Sequence, residues 1–359
     1  MLLLTHSSPL QIVGNDLSVV PQNHIKIHGR AWKPAPTTGR RVVAPYARNK
    51  FFRVVAGFHA RIKSHQNPRA GEHSSPLRLN RQTPIYHRAL SAPAVYAVHI
   101  GETMFTNQQI LQIALQQSAY DCNCKPEDFL SDQNKIVISK TNEKARTYIP
   151  LPLECDLVSY GNNIVAQTSA RLKSTVRAYI NKYPVEHCFE TPNIIALNEK
   201  LAKFDYKVCF MAEYFLPDIT QLKALPSAYE LRVLQPIDFA KYYRDKWDNA
   251  LRKDKKELDV LCVGAYDNGK LIGLAGASAD CETMYQIGAD VLPKYRKQGV
   301  ASAITSRLAL EILAMDKVPF YCAAWSNIKS VRNALKCGFR PAWVQLTARD
   351  NAFVDKLNK

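Results

Sequence analysis

From residue 104 onward the sequence predicts a mixed α/β (α+β) protein, a sheet flanked by helices, preceded by a basic extension that is not expected to fold. Three observations predict it. Apolar residues recur at helical spacing in some stretches and form short strand-like runs in others, and the two kinds are interspersed along the chain. Clusters of Pro, Gly, Asn and Asp separate them. Residues 1–103 show neither period and hold 14 Lys and Arg against 3 Asp and Glu, so they carry +11 of the formal net charge of +17.

The regular pattern starts with "NQQILQIALQQSAYD", where Ile110, Ile113, Leu115 and Ala119 mark a helix. "NKIVISK" and "LECDLVSYG" read as strands, and "TSARLKSTVRAYINKY" as a helix with Leu172, Val176 and Ile180 on one face. "TPNIIALNEKLAKFDY" is a further helix, with Thr191 as its cap and Pro192 at its first position. The strand "KVCFMAEYFLPD" follows, and the prolines at 217 and 226 mark a connector. Beyond it, "YELRVL" is a strand and "QPIDFAKYYRDKWDNAL" a helix. "VLCVGAYDNGKLIGLAGASA" is a hairpin turning at Asn268-Gly269, a pair that supplies the positive φ angles of a tight turn. A strand through "CETMYQIGADVL", a helix to about Met315 that buries Ala301, Ile304, Leu308, Ile312 and Met315, the strand "PFYCAAW", the helix "NIKSVRNALKC" and a last strand from about Arg340 complete an order β-α-β-β-β-α-β-α-β.

Three readings are open for residues 1–103: an organelle transit peptide, a basic arm touching nucleic acid through phosphates, or an extension upstream of a protein that begins at Met104. No stretch reads as a membrane span or a secretory signal. The nine cysteines all lie beyond residue 103 at irregular spacing, which fits a reducing compartment, and a cytoplasmic location is expected. Cys122 and Cys124 form a C-x-C pair with no second pair to complete four ligands, so no metal is expected.

The stretch with chemical content is "VLPKYRKQGVASAITSRLALEIL", from Val291. Pro293 ends a strand and cannot donate to a neighbouring ladder, so the sheet is expected to open there. The N–H groups of Gln298, Gly299, Val300 and Ala301 fall at a helix start, Gly299 lacks a side chain that would hold a ligand off the backbone, and Arg296 and Lys297 add positive charge. A diphosphate suits such a turn. Taken alone, an ordinary strand-to-helix turn fits it too.

This segment, with Arg296, Gly299 and Ala301 in the pattern Gln/Arg-x-x-Gly-x-Gly/Ala, resembles the acetyl-CoA motif of the GNAT superfamily of N-acetyltransferases. "NIKSVRNALKCGF", with Asn327, Ser330, Lys336, Gly338 and Phe339, resembles that family's second element, and the likeness covers about 228–348. The resemblance implies a GNAT-like sheet, acetyl-CoA as cofactor, and direct acetyl transfer to a small-molecule or protein amine. It implies that Val291, Leu292 and Pro293 flank the pantetheine, with a backbone N–H near Leu292 polarising the thioester carbonyl. Residues 296–301 and Ser302 (Arg296, Lys297, Gln298, Gly299, Val300, Ala301) would wrap the diphosphate, with Asn327 and Ser330 on the far side of the gap.

Family members often place a carboxylate base on the central strand, and Glu282 is taken for that role ahead of Asp280 and Asp290, with a solvated charge at a hairpin end as the plain alternative for each. The family's usual acid is a tyrosine seven residues after the motif asparagine; Ala334 stands there. Tyr321 or Tyr295 could replace it, though both also suit packing, as Phe320 and Trp325 suit core or pocket lining. A noncatalytic acyl-CoA-binding or regulatory module is the alternative, and nucleic acid is not expected as a partner. Three regions follow: the extension 1–103, an α/β domain 104–225, and an acetyltransferase domain 226–359. "KLAKFDYKV" echoes "ALKCGFRPA", which suggests that 104–225 is a degenerate copy of the second fold; an unrelated α/β domain stays open.

Overall fold

The computed structural model describes residues 105–243 and 245–358, so the expectations for 1–103 lie outside the described residues. Thr106 starts α1 (Asn107–Cys122) with a reciprocal cap: its hydroxyl accepts from the Gln109 N–H, and the Gln109 side chain accepts from the Thr106 N–H. Strands β1 (Lys135–Ile138), β2 (Cys155–Ser159) and β3 (Val165–Thr168), helices α2 (Lys173–Ile180) and α3 (Thr191–Leu201), and the long strand β4 (Tyr206–Pro217) follow. The second half runs β5 (Glu230–Leu234), α4 (Pro236–Phe239), β6 (Asp259–Asp267), β7 (Lys270–Ser278), β8 (Met284–Val291), α5 (Val300–Ala314), β9 (Val318–Ala324), α6 (Ile328–Lys336), β10 (Phe339–Asp350) and α7 (Asn351–Leu357). This is the mixed α/β order that the sequence predicts.

Three local expectations need correction. Glu190, extended at φ −92° and ψ 145°, is the cap of α3, and Thr191 and Pro192 occupy its first positions, where a missing N–H costs nothing. The helix expected from Pro236 ends at Phe239 and gives way to short 3-10 turns. Here the chain instead drops onto the sheet, burying Phe239, Trp247, Ala250 and Leu251 against Cys262, Leu271 and Leu274. In α5, Ile304, Leu308 and Ile312 are buried as expected, but Ala301 is only half-buried and Met315 is exposed beyond the helix end.

Among the described residues, the ten strands form one sheet in the order β1-β3-β2-β10-β4-β9-β8-β7-β6-β5. The two halves of the chain interleave in it. β10, the last strand, inserts between β2 and β4, and β4, from the first half, lies between β10 and β9. The connector after Pro217 is thus a chain crossing and not a gap in the sheet. One face carries α5 and α6 over Ile287, Tyr321 and Ala323, and further along α2 and α3 over Leu157, Ala166 and Leu346. The other carries α1 over Val158, Phe320 and Trp343, and the 239–251 segment over Leu274. The tight turn at Asn268-Gly269 has φ of 48° and 78°, as the hairpin requires. The echo noted between 200–208 and 334–342 corresponds to two helix-to-strand turns, each through a left-handed residue, Asp205 (φ 64°) and Gly338 (φ 90°). They lead into the adjacent strands β4 and β10.

Candidate functional site

β8 and β9 are parallel neighbours, but they pair only from Met284 opposite Val318 to Ile287 opposite Tyr321. Beyond that, β8 stays with β7 as far as Val291 and β9 stays with β4 as far as Ala324, leaving a fork. The opening starts at Gly288, earlier than the expected Pro293. Packing gives the reason. The carbonyl of Asn249 presses on β8 so closely that a Cβ on Gly288 would lie 1.7 Å from it. The Asp290 carboxylate holds that segment down, accepting from the Asn249 N–H at 2.8 Å, the Asn249 Nδ2 at 2.6 Å and the Ala250 N–H at 3.0 Å.

Register decides which backbone groups face the fork. The Leu292 N–H donates to Ile272 of β7 at 2.9 Å, so it is not free to polarise a thioester. Pairs in an antiparallel ladder alternate between bonded and non-bonded, and Val291 opposes Gly273. Val291 and Ala289 therefore turn their N–H and C=O groups away from β7, toward the gap. The expectation at Leu292 moves by one residue, to Val291, whose carbonyl also accepts from Arg296 Nε at 3.0 Å.

Past β8, Pro293 opens a 3-10 turn, and the chain reaches α5 through two left-handed residues, Lys297 at φ 64° and Gly299 at φ 81°. A residue with a side chain is strained at such an angle, which is one reason for glycine at 299. A Cβ there would meet nothing within 4 Å, so the space above the helix start is open. The first ladder bond of α5 runs from the Ala303 N–H to the Gly299 carbonyl at 3.0 Å. The N–H groups of Val300, Ala301 and Ser302 precede that ladder, at the positive end of the helix dipole. Arg296 and Lys297 are exposed beside them. Two expected contacts are spent internally: the Ser302 hydroxyl donates to Asn333 Oδ1 at 3.0 Å, and Gln298 joins Tyr229 and the Lys294 carbonyl.

Across the fork, Asn327 is exposed just beyond β9 and caps α6, its Oδ1 accepting from the Ser330 N–H at 3.2 Å. Its Nδ2 is the group left for a ligand. Ala334, on α6, is fully buried. Tyr321, at the branch point of the fork, is buried in the same core as Ala334, and burial raises the pKa of its phenol. Tyr295 instead donates its hydroxyl to Asp267 at 2.9 Å, and Phe320 is buried beneath Arg146, as packing roles require. Trp325 is 40% exposed and lines a cavity.

The three candidate carboxylates are not brought to the fork as free bases. Asp280 is fully buried, ion-paired with Arg252 and accepting from Thr147 Oγ1 at 2.9 Å. Asp290 is committed to Asn249 and Ala250. Glu282 is exposed in the turn before β8, at the closed end of the fork, where it borders a separate cavity of about 810 Å³. The extended run from Met284 to Gly288 alone spans about 13 Å. The clamp of Asn249 on Asp290 is absent from the sequence reading, although glycines within strands, at 276 and 288, signal a close backbone approach.

A forked parallel pair whose outer strand leads into a glycine-started helix is what the quoted motif anticipates. Residues 225–339 match the model of the acetyltransferase (GNAT) family. This stretch is a GNAT-family domain. Among solved structures, the chain is similar to a putative GNAT acetyltransferase from Novosphingobium aromaticivorans at 18% identity and a TM-score of 0.31, over 40% of this chain and 66% of that one. It is similar to a GCN5-related N-acetyltransferase-like protein from Streptococcus suis at 17% and 0.34, over 44% and 69%. A GCN5-related N-acetyltransferase from Kribbella flavida gives 12% and 0.36, over 45% and 64%. None of the curated proteins matches the chain. Among the described residues no helix is long and apolar enough to cross a membrane.

Proposed function

We propose that the chain is an acetyl-CoA-dependent N-acetyltransferase acting on an amine. The observation that carries this is the fork itself: outward backbone groups at Ala289 and Val291, followed at once by an open, positively charged helix start at 299–302. The outward N–H and C=O of β8 suit the two amides of a pantetheine arm, which pairs like a short strand. The free N–H groups of α5, with Arg296 and Lys297, suit a diphosphate. Bound there, acetyl-CoA supplies the activated acyl group. The chain's own part would be to align that group along β8, polarise its carbonyl from the Val291 N–H, and offer the Tyr321 hydroxyl as proton donor to the departing thiolate in place of the residue missing at Ala334, while the attacking amine loses its proton to solvent water. Burial keeps that phenol protonated.

Two observations favour a second reading, an acyl-CoA-binding module without turnover: Ala334 cannot donate a proton, and Glu282 lies away from the fork. Calorimetric titration with acetyl-CoA, combined with thiol release across a panel of amines, separates them. Binding with turnover supports the enzyme. Binding with no thiol release on any amine supports the module, and no binding at all overturns both. The soluble, cytoplasmic setting and the amine acceptor belong to this same proposal.

A further inference from the structure

On the face that carries α2, α3 and α6, the two helical blocks leave the sheet uncovered between them, and a cavity of about 560 Å³ lies there. Trp325 and Phe189 line it together with Val185, Pro341 and Val344, and it holds two carboxylates, Glu213 and Glu186. No lysine or arginine lines it. Among the described residues neither glutamate is ion-paired with a basic side chain, although the chain as a whole carries +17. Glu213 sits on β4 opposite Ala323 of β9, and Trp325 follows β9 directly. The cavity is therefore separated from the fork by β9 alone, a strand spacing of about 5 Å.

Resting on the acyl-transfer reading above, we propose that this cavity binds the acceptor as an organic cation, with its hydrocarbon body against Trp325 and Phe189 and its positive end at Glu213 and Glu186. Aromatic faces attract a cation through their quadrupoles, and they bury an alkyl or aryl body without needing a polar partner. Two carboxylates beside an apolar wall disfavour anions of the same shape through like-charge repulsion. Charge and shape together thus select an amine with a hydrophobic body over an acid or a small polar amine.

The test is calorimetry on the full chain with phenethylamine, octylamine and phenylacetate, with acetyl-CoA titrated separately. Both amines are expected to bind at least about tenfold more tightly than phenylacetate. Glu213→Gln and Trp325→Ala should each weaken amine binding about tenfold while leaving acetyl-CoA affinity unchanged, which also reports that the variants are folded. If neither amine binds more tightly than phenylacetate, or if neither substitution alters amine binding, the assignment of this cavity is overturned. If amines bind as stated and acetyl-CoA does not, the acyl-transfer reading fails while the cation site stands.

Discussion

β4 with β10 and β8 with β9 are two central strand pairs of the same sheet, and they use their backbones in opposite ways. β4 and β10 stay paired from Phe339 opposite Pro217 to Asp350 opposite Tyr206, absorbing two register shifts on the way. β8 and β9 let go after Ile287 and Tyr321, although both strands continue. A paired ladder satisfies its own donors and acceptors. A parted one must leave them for something else, since unpaired buried peptide groups are costly. The lesson is that a sheet can expose backbone groups by withholding a pairing, with the withheld strand pinned by Asp290 and the Asn249 segment.

Variants that attack each side of this contrast should differ in kind. Gly288→Val places a side chain against the Asn249 carbonyl and should lower stability by at least ~3 kcal/mol, read as a shift in the urea midpoint. An unchanged midpoint would show that the 249–251 segment does not press on β8. On the paired side, Asp156 of β2 is fully buried beside β10 and accepts from Gln345, Thr347 and Gln167; burial raises its pKa to about 6. That value lies above the ordinary 3.8, so between the two the native state holds a proton that the unfolded chain releases. Its contribution is full below about pH 4 and is lost as pH rises through 6, by about 3 kcal/mol in all. Asp156→Asn should flatten this part of the stability–pH curve, and an unaltered curve would place the titration elsewhere.

The remaining effects concern the fork. Gly299→Glu sets a side chain and a negative charge over the helix start, so acetyl-CoA affinity should fall about 100-fold while the rest of the sheet is untouched. Equal affinity would remove the diphosphate from this turn. Tyr321→Phe should reduce thiol release about tenfold with acetyl-CoA affinity nearly constant, as expected for a proton donor; a matching loss in binding would make the residue structural. Smallest of all, Glu282→Gln should change turnover less than about twofold, given the ~13 Å of strand between it and the opening. A loss of a hundredfold would restore it as the base.

Much of this was readable from local pattern. The strands, the hairpin at Asn268-Gly269 and the glycine-started turn at 296–301 depend on periodicity and on residues with special φ angles, which neighbours in sequence determine. What escaped depends on partners far along the chain. The sequence near Leu292 does not say which of two adjacent N–H groups points at β7; only the pairing of Val291 with Gly273 does. The shortened α4 reflects tertiary demand, because burial of Trp247 and Leu251 outweighs the helical preference of the run from Pro236. Glu282 is taken by analogy with a carboxylate on the central strand, and it lies in the turn before β8, a matter of position along the chain that residue type does not give.

The interleaving of β4 and β10 bears on how the protein is made. β10 closes the sheet between strands that precede it by more than a hundred residues, so β2 and β4 have no shared neighbour until the C-terminal segment arrives. During synthesis, β4 must wait with an open edge while the whole GNAT domain emerges, and the contacts that complete it are among the most distant in the chain. Such high contact order means slow closure and a period of exposed edge strands. A nascent chain stalled before Phe339 would therefore be a client for chaperones, and the final strand sets the moment at which the molecule becomes safe from aggregation.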